Sequence, residues 1–387
     1  VNVPATLTLA EAARRTWDAA VVGAGPAGAL AARELSRRGM AVLLIDKALF
    51  PRPKVCGCCL NGRALAALRS AGLTGLPAAC GAVPLQAIEL TARGHSARLP
   101  LGGVALSRQT FDAALVHSAV AAGTAFLPGT LARLRTPAAQ GPLLHLAQGD
   151  DHADVAARVL VAADGLGGAL LAPAGMRSHA ASGARVGAGV VVSDVPGFYR
   201  RGIVYMACGR PGYLGLVRLE DGRLDLAAAL DADAVRHHGG PAGVAAHLLA
   251  ETGWPPPPDL ERQHWRGTPP LTRGIAVPGA ERLFVVGDAA GYVEPFTGEG
   301  MAWALAGAVA LAPVAARAAA AWRPSLLAEW RALHAQVVRR RQLACRIAAA
   351  VLRRPRLVGL LVRLLNRAPG LAIPVVRHLH GGRLVVE

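Results

Sequence analysis

The sequence predicts an α/β chain: a parallel sheet that carries glycine-rich loops, interrupted by a second lobe built on an antiparallel sheet. Three observations carry that expectation. An apolar run at 18–22 leads directly into Gly23-Ala24-Gly25-Pro26-Ala27-Gly28. Two distant apolar runs, 157–163 and 282–286, end at Asp164-Gly165 and Gly287-Asp288. Between them, 184–231 reads as three or four longer strands separated by tight turns.

The first run, apolar after Asp18, suits a buried parallel strand. Gly23 permits the tight turn that follows, Gly25 lets a pyrophosphate approach the backbone, and Gly28 allows close helix–strand packing. Pro26 and Ala27 lead into a helix over 29–38, whose N-terminal N–H groups would face the phosphate charge. A second run, 41–45, ends in Asp46, about 20 residues past the glycines, where a carboxylate binds ribose hydroxyls. An acid there would repel a 2′-phosphate, which disfavours NADP at this site and leaves FAD or NAD.

The distal loops decide between those two. Asp164-Gly165 ends its strand at the carboxyl edge of the sheet, and Asp288 is placed to accept from a ribityl hydroxyl. Gly298, Gly300 and Met301 open a long alanine-rich helix whose N-terminus would face the flavin's pyrimidine edge. Its positive dipole end would stabilise the anionic reduced flavin. Together the loops specify FAD, and FAD limits the chemistry to redox.

The remaining elements follow in order. After Asp46 the chain tracks the cofactor edge to about 61 and forms a helix through 71. Runs 83–92 and 97–104 read as strands of the second lobe, and 108–122 returns as a helix of the first. A small antiparallel meander is expected over 132–155, with a turn at Gly149-Asp150-Asp151. Strands 202–207, 212–219 and 223–230 would form one wall of a substrate cavity. A helix over 233–252 ends before the prolines at 255–258. The expected FAD-binding domain is discontinuous (1–75, 104–178 and 270–321). A substrate domain takes 76–103 and 179–269, and a basic helical segment takes 322–387.

The run GDAAGYVEPFTGEGM, residues 287–301, resembles the FAD signature of the geranylgeranyl reductase branch of flavoproteins. That branch shares its fold with aromatic hydroxylases of the p-hydroxybenzoate hydroxylase type. The stretch Phe50-Pro51-Arg52-Pro53-Lys54-Val55-Cys56-Gly57 is similar to the branch's segment after the second strand. Arg108 matches an arginine that contacts the cofactor from the start of a helix. The resemblance spans about 18–320. It implies a Rossmann-like FAD-binding domain with a β-meander and an antiparallel-sheet substrate domain. It also implies cofactor contacts from Lys54, Cys56, Gly57, Arg108, Pro295 and Glu299, with Cys56 near the isoalloxazine. Two features depart from the pattern. Prenyl reductases of this branch carry a Tyr–Trp pair in the substrate sheet, and here Gly212-Tyr213-Leu214-Gly215-Leu216 holds only the tyrosine. The Trp-rich motif of the sister tryptophan halogenases is absent, which argues against halogenation.

Composition sets the outer bounds. The chain has 387 residues, is 17% charged and 53% hydrophobic, and carries a formal charge of +17. Lys47 and Lys54 are its only lysines and flank the second strand's exit, either to hold a phosphate or the flavin edge or as ordinary solvent-facing cations. From Trp322 onward, arginines from Arg323 to Arg383 are interleaved with Leu343, Ile347, Val351, Leu352, Leu357, Leu360, Leu361 and Leu364, and the only acids are Glu329 and Glu387. That pattern reads equally as a membrane-surface helix pair or as packed helices with a solvated basic face. No recognition motif accompanies the arginines, so nucleic acid is not an expected partner. No stretch of about 20 apolar residues is free of both charge and proline, so no membrane span is expected. The start of the chain has no signal-peptide core, which predicts a cytoplasmic protein, peripheral to the inner membrane if the basic helices dock there. Six cysteines form no disulfide framework, and Cys56-Gly57-Cys58-Cys59 has no paired metal ligands elsewhere, so no metal is expected. Packing is the leading reading of that cluster, with redox exchange as the alternative.

The expected function is that of an FAD-dependent oxidoreductase acting on a hydrophobic small molecule, with NAD(P)H as transient electron donor. Tyr213, Tyr205 and Glu294 are the candidate catalytic groups in the cavity. The missing tryptophan favours monooxygenation of a lipid-like or polyketide phenol through a flavin C4a-hydroperoxide. Geranylgeranyl reductase-like reduction of a C=C bond is the alternative, and a non-catalytic flavin-containing membrane-surface protein is the third reading.

Overall fold

The computed structural model describes residues 2–135, 141–294, 296 and 298–372. Its central sheet runs in the order Gly279–Ala280, Leu283–Val285, Asp151–Ala162, Trp17–Val22, Val42–Ile45, Ala125–Leu127. All neighbours pair in parallel except the edge strand Gly279–Ala280. Register explains how distant loops meet. Val22 lies level with Ile45 and Ala162, Ile45 with Leu127, and Ala162 with Val285. Gly23, Asp46, Asp164 and Gly287 therefore all leave the sheet at one edge, within two residues of that row.

Alternation along these strands divides the core. Val21, Leu44, Val161 and Phe284 face the helices Pro26–Ser36, Arg108–Ala121 and Gly300–Ala320. Val22, Leu43, Leu160 and Val285 face the other way, toward the meander of Leu131–Leu134, Leu143–Gln148 and the first half of Asp151–Ala162. Both faces being covered is why the strands read as continuous apolar runs. Gly300–Ala320 is long and apolar enough to cross a membrane, Pro313 and Arg317 notwithstanding, but two-thirds of its apolar window is buried in this core.

The second sheet has seven strands, ordered Arg266–Pro270, Val186–Val192, Leu224–Leu230, Gly212–Arg218, Ile203–Gly209, Ala87–Ala92, His95–Pro100. It is mixed rather than wholly antiparallel. Ile203–Gly209 pairs in parallel with Ala87–Ala92, because that hairpin enters from an earlier stretch of chain and is not joined to its neighbour by a turn. Period-two alternation sends Met206, Cys208, Tyr213, Val217 and Ala229 to one face. Tyr205, Leu214, Leu216 and Leu226 go to the other, beneath the helix Pro241–Thr252.

The described part of the basic C-terminal segment is folded onto the body. Pro324–His334 runs through a wide turn at Ala335–Arg339 into Arg340–Leu352, and Pro355–Arg367 follows. Leu352, Val358 and Val362 join the same apolar cluster as Tyr213 and Met206. The last helix thus covers part of the sheet's cavity face. Arg377 and Arg383 lie outside the described residues.

Candidate active site

The glycines of the first loop do different jobs. A Cβ on Gly23, at φ +102°, would lie 2.3 Å from the Ala163 carbonyl oxygen, and one on Gly28 would lie 1.8 Å from that of Gly23. Both must be glycine for the fold itself. A Cβ on Gly25 meets no backbone; its nearest neighbours are guanidinium nitrogens of Arg52 at 3.6 Å and Arg108 at 3.8 Å. Gly25 therefore opens on a cleft lined by two cations, with Pro26 and Ala27 starting the helix behind it and no side chain capping that helix. An uncapped helix N-terminus beside two guanidiniums has the charge and the open space that a diphosphate needs.

The cations are held by buried acids. Arg108 donates twice to Asp112, at 2.7 and 2.8 Å, and Arg52 lies 3.6 Å from Asp112 and 3.7 Å from Asp46. Asp46 accepts from the Ala24 amide at 2.7 Å and the Ala48 amide at 2.9 Å, fixing the carboxylate at the loop. Glu220, from the turn after Gly212–Arg218, accepts from the Ser107 amide, the Ser107 hydroxyl and the Thr110 hydroxyl. The substrate sheet thereby anchors the helix that presents Arg108.

The distal motifs close on the same cleft. A Cβ on Gly287, at φ +64°, would be 2.9 Å from the Ala27 Cβ, so the first and third loops touch. Burial pushes the Asp288 carboxyl up, with Lys54 and Arg108 pulling it back, and Asp164 is raised by burial and lowered by Lys47. Each of the chain's two lysines thus interacts with a motif acid, which favours a local role for both. Asp164 accepts from the Leu170 amide at 3.2 Å, and its second oxygen is buried without a hydrogen bond. Gly165 and Gly298 adopt positive φ, Gly57 has open space where a Cβ would stand, and Met301 is buried in the helix core. Gly300 lies against Tyr292, whose ring would sit 3.1 Å from an added Cβ. Glu299 is buried, with Arg63 at 4.0 Å, and burial raises its carboxyl to about 7. Its side chain faces that arginine and Trp303. Pro295 lies outside the described residues. The orphaned Asp164 oxygen, the open Gly25 and the paired guanidiniums fit a flavin dinucleotide.

Beside this cleft sits a linked set of thiols. Hydrogen bonding from Cys58, and next the Arg108 guanidinium, hold the Cys56 thiol at about 6 against the upward pull of burial. Cys58, at φ +51° and with its Sγ 3.6 Å from the Cys56 carbonyl oxygen, is pushed well above its ordinary value by that same hydrogen bond. Behind it lies Asp225, buried on the cavity face of Leu224–Leu230 with one oxygen lacking a hydrogen bond. Burial, then the charge on Cys56, pushes the Asp225 carboxyl well above its ordinary range, against the pull of the neighbouring Cys58 thiol. The sequence reading missed Asp225. Its signal was one acid at an inward position of an apolar strand, in phase with Ala229 and across the sheet from Val217.

The three proposed catalytic side chains separate. Tyr213 faces the cavity, edge-on to Phe296 at 5.1 Å and under the Arg185 guanidinium, and burial raises its hydroxyl. Tyr205 points to the opposite face. Its hydroxyl donates to the Phe198 carbonyl and accepts from the Arg200 amide, inside an aromatic cluster with Tyr199 and Trp254. The reason is parity: residues 205 and 206 cannot share a sheet face. Glu294 is buried in an ionic group with Arg185 at 3.5 Å and Arg353 at 3.9 Å. It ties the distal loop to the C-terminal segment, and its charge reaches Tyr213, whose ring lies under Arg185. Among the described residues no metal-binding cluster is present.

Comparison with known proteins agrees with this geometry. The family described as FAD binding domain matches residues 16–340. A menaquinone reductase of Mycobacterium tuberculosis is 30% identical over 336 residues, covering 81% of this chain and 80% of the relative. Among solved structures, a flavin-dependent brominase aligns at TM-score 0.77 and 18% identity, over 96% of this chain and 94% of its own. A geranylgeranyl bacteriochlorophyll reductase-like protein of Thermoplasma acidophilum gives 0.77 at 18%, over 94% and 96%. A p-nitrophenol 4-monooxygenase of Pseudomonas putida gives 0.76 at 16%, over 96% and 99%. One fold carries three chemistries, so the reaction must be argued from the site.

Proposed function

Because the chain belongs to the FAD binding domain family of flavoproteins, we propose that it is a reductase that saturates a carbon–carbon double bond in an apolar, lipid-like substrate. The observation that carries this reading is Asp225, a buried carboxylic acid on the cavity face, joined to the thiols beside the cleft. Saturation of a double bond takes one hydride and one proton. Bound FAD supplies the two-electron chemistry, recharged by NAD(P)H that binds transiently. Burial raises the Asp225 carboxyl well above its ordinary range, which suits it to hold a proton, and Cys58, set between Asp225 and Cys56, connects it to the cleft. Arg108 stabilises the Cys56 thiolate and, with Arg52, would hold the cofactor's phosphates. Val204, Met206 and Val217 line the same sheet face and exclude water.

The relative named a menaquinone reductase supports reduction, and a prenylated quinone is the substrate class we assign first. The sequence preference for hydroxylation drew on a missing sheet tryptophan. Tyr213 takes its aromatic partner, Phe296, from the distal loop instead, so that absence carries little weight.

The test is turnover under argon with NADH or NADPH and a prenylated quinone. After the product is reoxidised in air to return any quinol to the quinone, a gain of two hydrogens that persists in the side chain is expected from turnover without dioxygen. A product formed only in air and heavier by one oxygen overturns the reading in favour of hydroxylation. Asp225→Asn should slow product formation about a hundredfold while leaving reduction of the bound flavin by NAD(P)H unchanged.

A further inference from the structure

The C-terminal helices carry more charge and more exposed apolar surface than packing requires. Between Arg339 and Arg367 there are nine arginines, every one exposed, and no aspartate or glutamate. On the same two helices Leu343, Ile347, Leu360 and Leu364 are 60%, 59%, 61% and 47% exposed. Each pair is spaced i, i+4, so each forms a ridge along one helix face. Sequence alone left open whether these leucines were buried against the body. The packing is done by other residues: Cys345 and Leu352 on one helix, Val358 and Val362 on the next. Gly359 lies against the stem of Arg93, 3.1 Å from an added Cβ, which pins the last helix to the sheet. The outward leucines are therefore fixed in place with none of the described residues over them.

We infer that this helix pair docks on the surface of an anionic lipid bilayer. Apolar side chains interleaved with arginine and without acids match a negatively charged interface that has a hydrocarbon interior. A nucleic acid would use the arginines but leave the leucines in water, and the exposed positions carry no aromatic side chains for base stacking. A second copy of this chain would bring like charge against like charge. The docking face also lies on the back of the residues that cover the cavity, since Leu352, Val358 and Val362 pack with Tyr213 and Met206. Bilayer contact would bring the cavity roof against the phase in which an apolar substrate dissolves. The docking itself does not depend on which reaction the flavin performs.

Co-sedimentation of the flavin-loaded protein with vesicles tests this, in the absence of substrate. Vesicles of phosphatidylglycerol and phosphatidylcholine should bind it at least about tenfold more tightly than pure phosphatidylcholine, and the difference should shrink as salt rises. Leu360→Gln/Leu364→Gln, both exposed, should weaken binding about fivefold or more while flavin content and thermal unfolding stay unchanged. Equal binding to both vesicle types overturns the inference, as does insensitivity to the double variant. Self-association without vesicles, or retention on heparin that the leucine variant does not alter, would assign the face to a protein or polyanion partner instead.

Discussion

At the scale of single residues, the site is set by which groups keep or lose a proton. Cys56 has a cation and a hydrogen-bond donor against it, whereas burial pushes Cys208 up to about 12 and Cys59 higher still. The thiolate is the reactive form. In flavin-free protein, iodoacetamide should modify Cys56 first, with a rate that rises through a midpoint near pH 6. Cys56→Ser should remove that fast phase, and added FAD should slow it in the wild type by covering the cleft. Peptide mapping with time reads all three outcomes. Modification of Cys208 or Cys345 ahead of Cys56 would contradict the arrangement around Arg108.

At the scale of elements, the first loop separates fold from function within six residues. Gly28→Ala places a methyl 1.8 Å from a carbonyl oxygen that cannot move without opening the turn. It should cost about 2 kcal/mol or more in stability and release the flavin, as read by thermal unfolding and by absorbance after gel filtration. Gly25→Ala meets only flexible guanidinium ends, so the apoprotein should unfold within a degree or two of wild type while flavin affinity falls about tenfold or more. The same contrast marks what could be read from sequence. The glycine turns and the strand–helix order were legible because local backbone needs fix residue type there, whereas Asp46 was read from its spacing and Arg108 from a family resemblance. The facing of Tyr205, the burial of Glu294 in an ion cluster and the parallel junction at Ala87–Ala92 were not. They depend on register and on partners more than 50 residues away. Asp225 lay between these cases: its parity was readable, its contact with Cys58 was not.

At the scale of the whole molecule, two buried groups on opposite ends of the long core helix and its successor give stability an unusual dependence on pH. Glu299 is raised to about 7 by burial, from an ordinary value near 4.5, so the folded chain holds a proton that the unfolded chain releases between those limits. Its share of stability is full below about pH 4.5 and is lost as pH rises through 7. His334, against Trp330, is lowered to about 4 by burial from an ordinary 6.5, so the unfolded chain binds the proton instead. Its share is full above about 6.5 and is lost as pH falls through 4. Between about 4.5 and 6.5 the two slopes oppose, each at most about 1.4 kcal/mol per pH unit, and largely cancel. Glu299→Gln removes the falling limb, so across this window its stability relative to wild type should climb with pH. His334→Leu removes the rising limb, and its relative stability should decline over the same range. Urea unfolding of flavin-loaded protein at half-unit pH steps resolves the crossing. Parallel curves for both variants would mean that neither group changes its protonation on folding, and the buried environments assigned to them would be wrong.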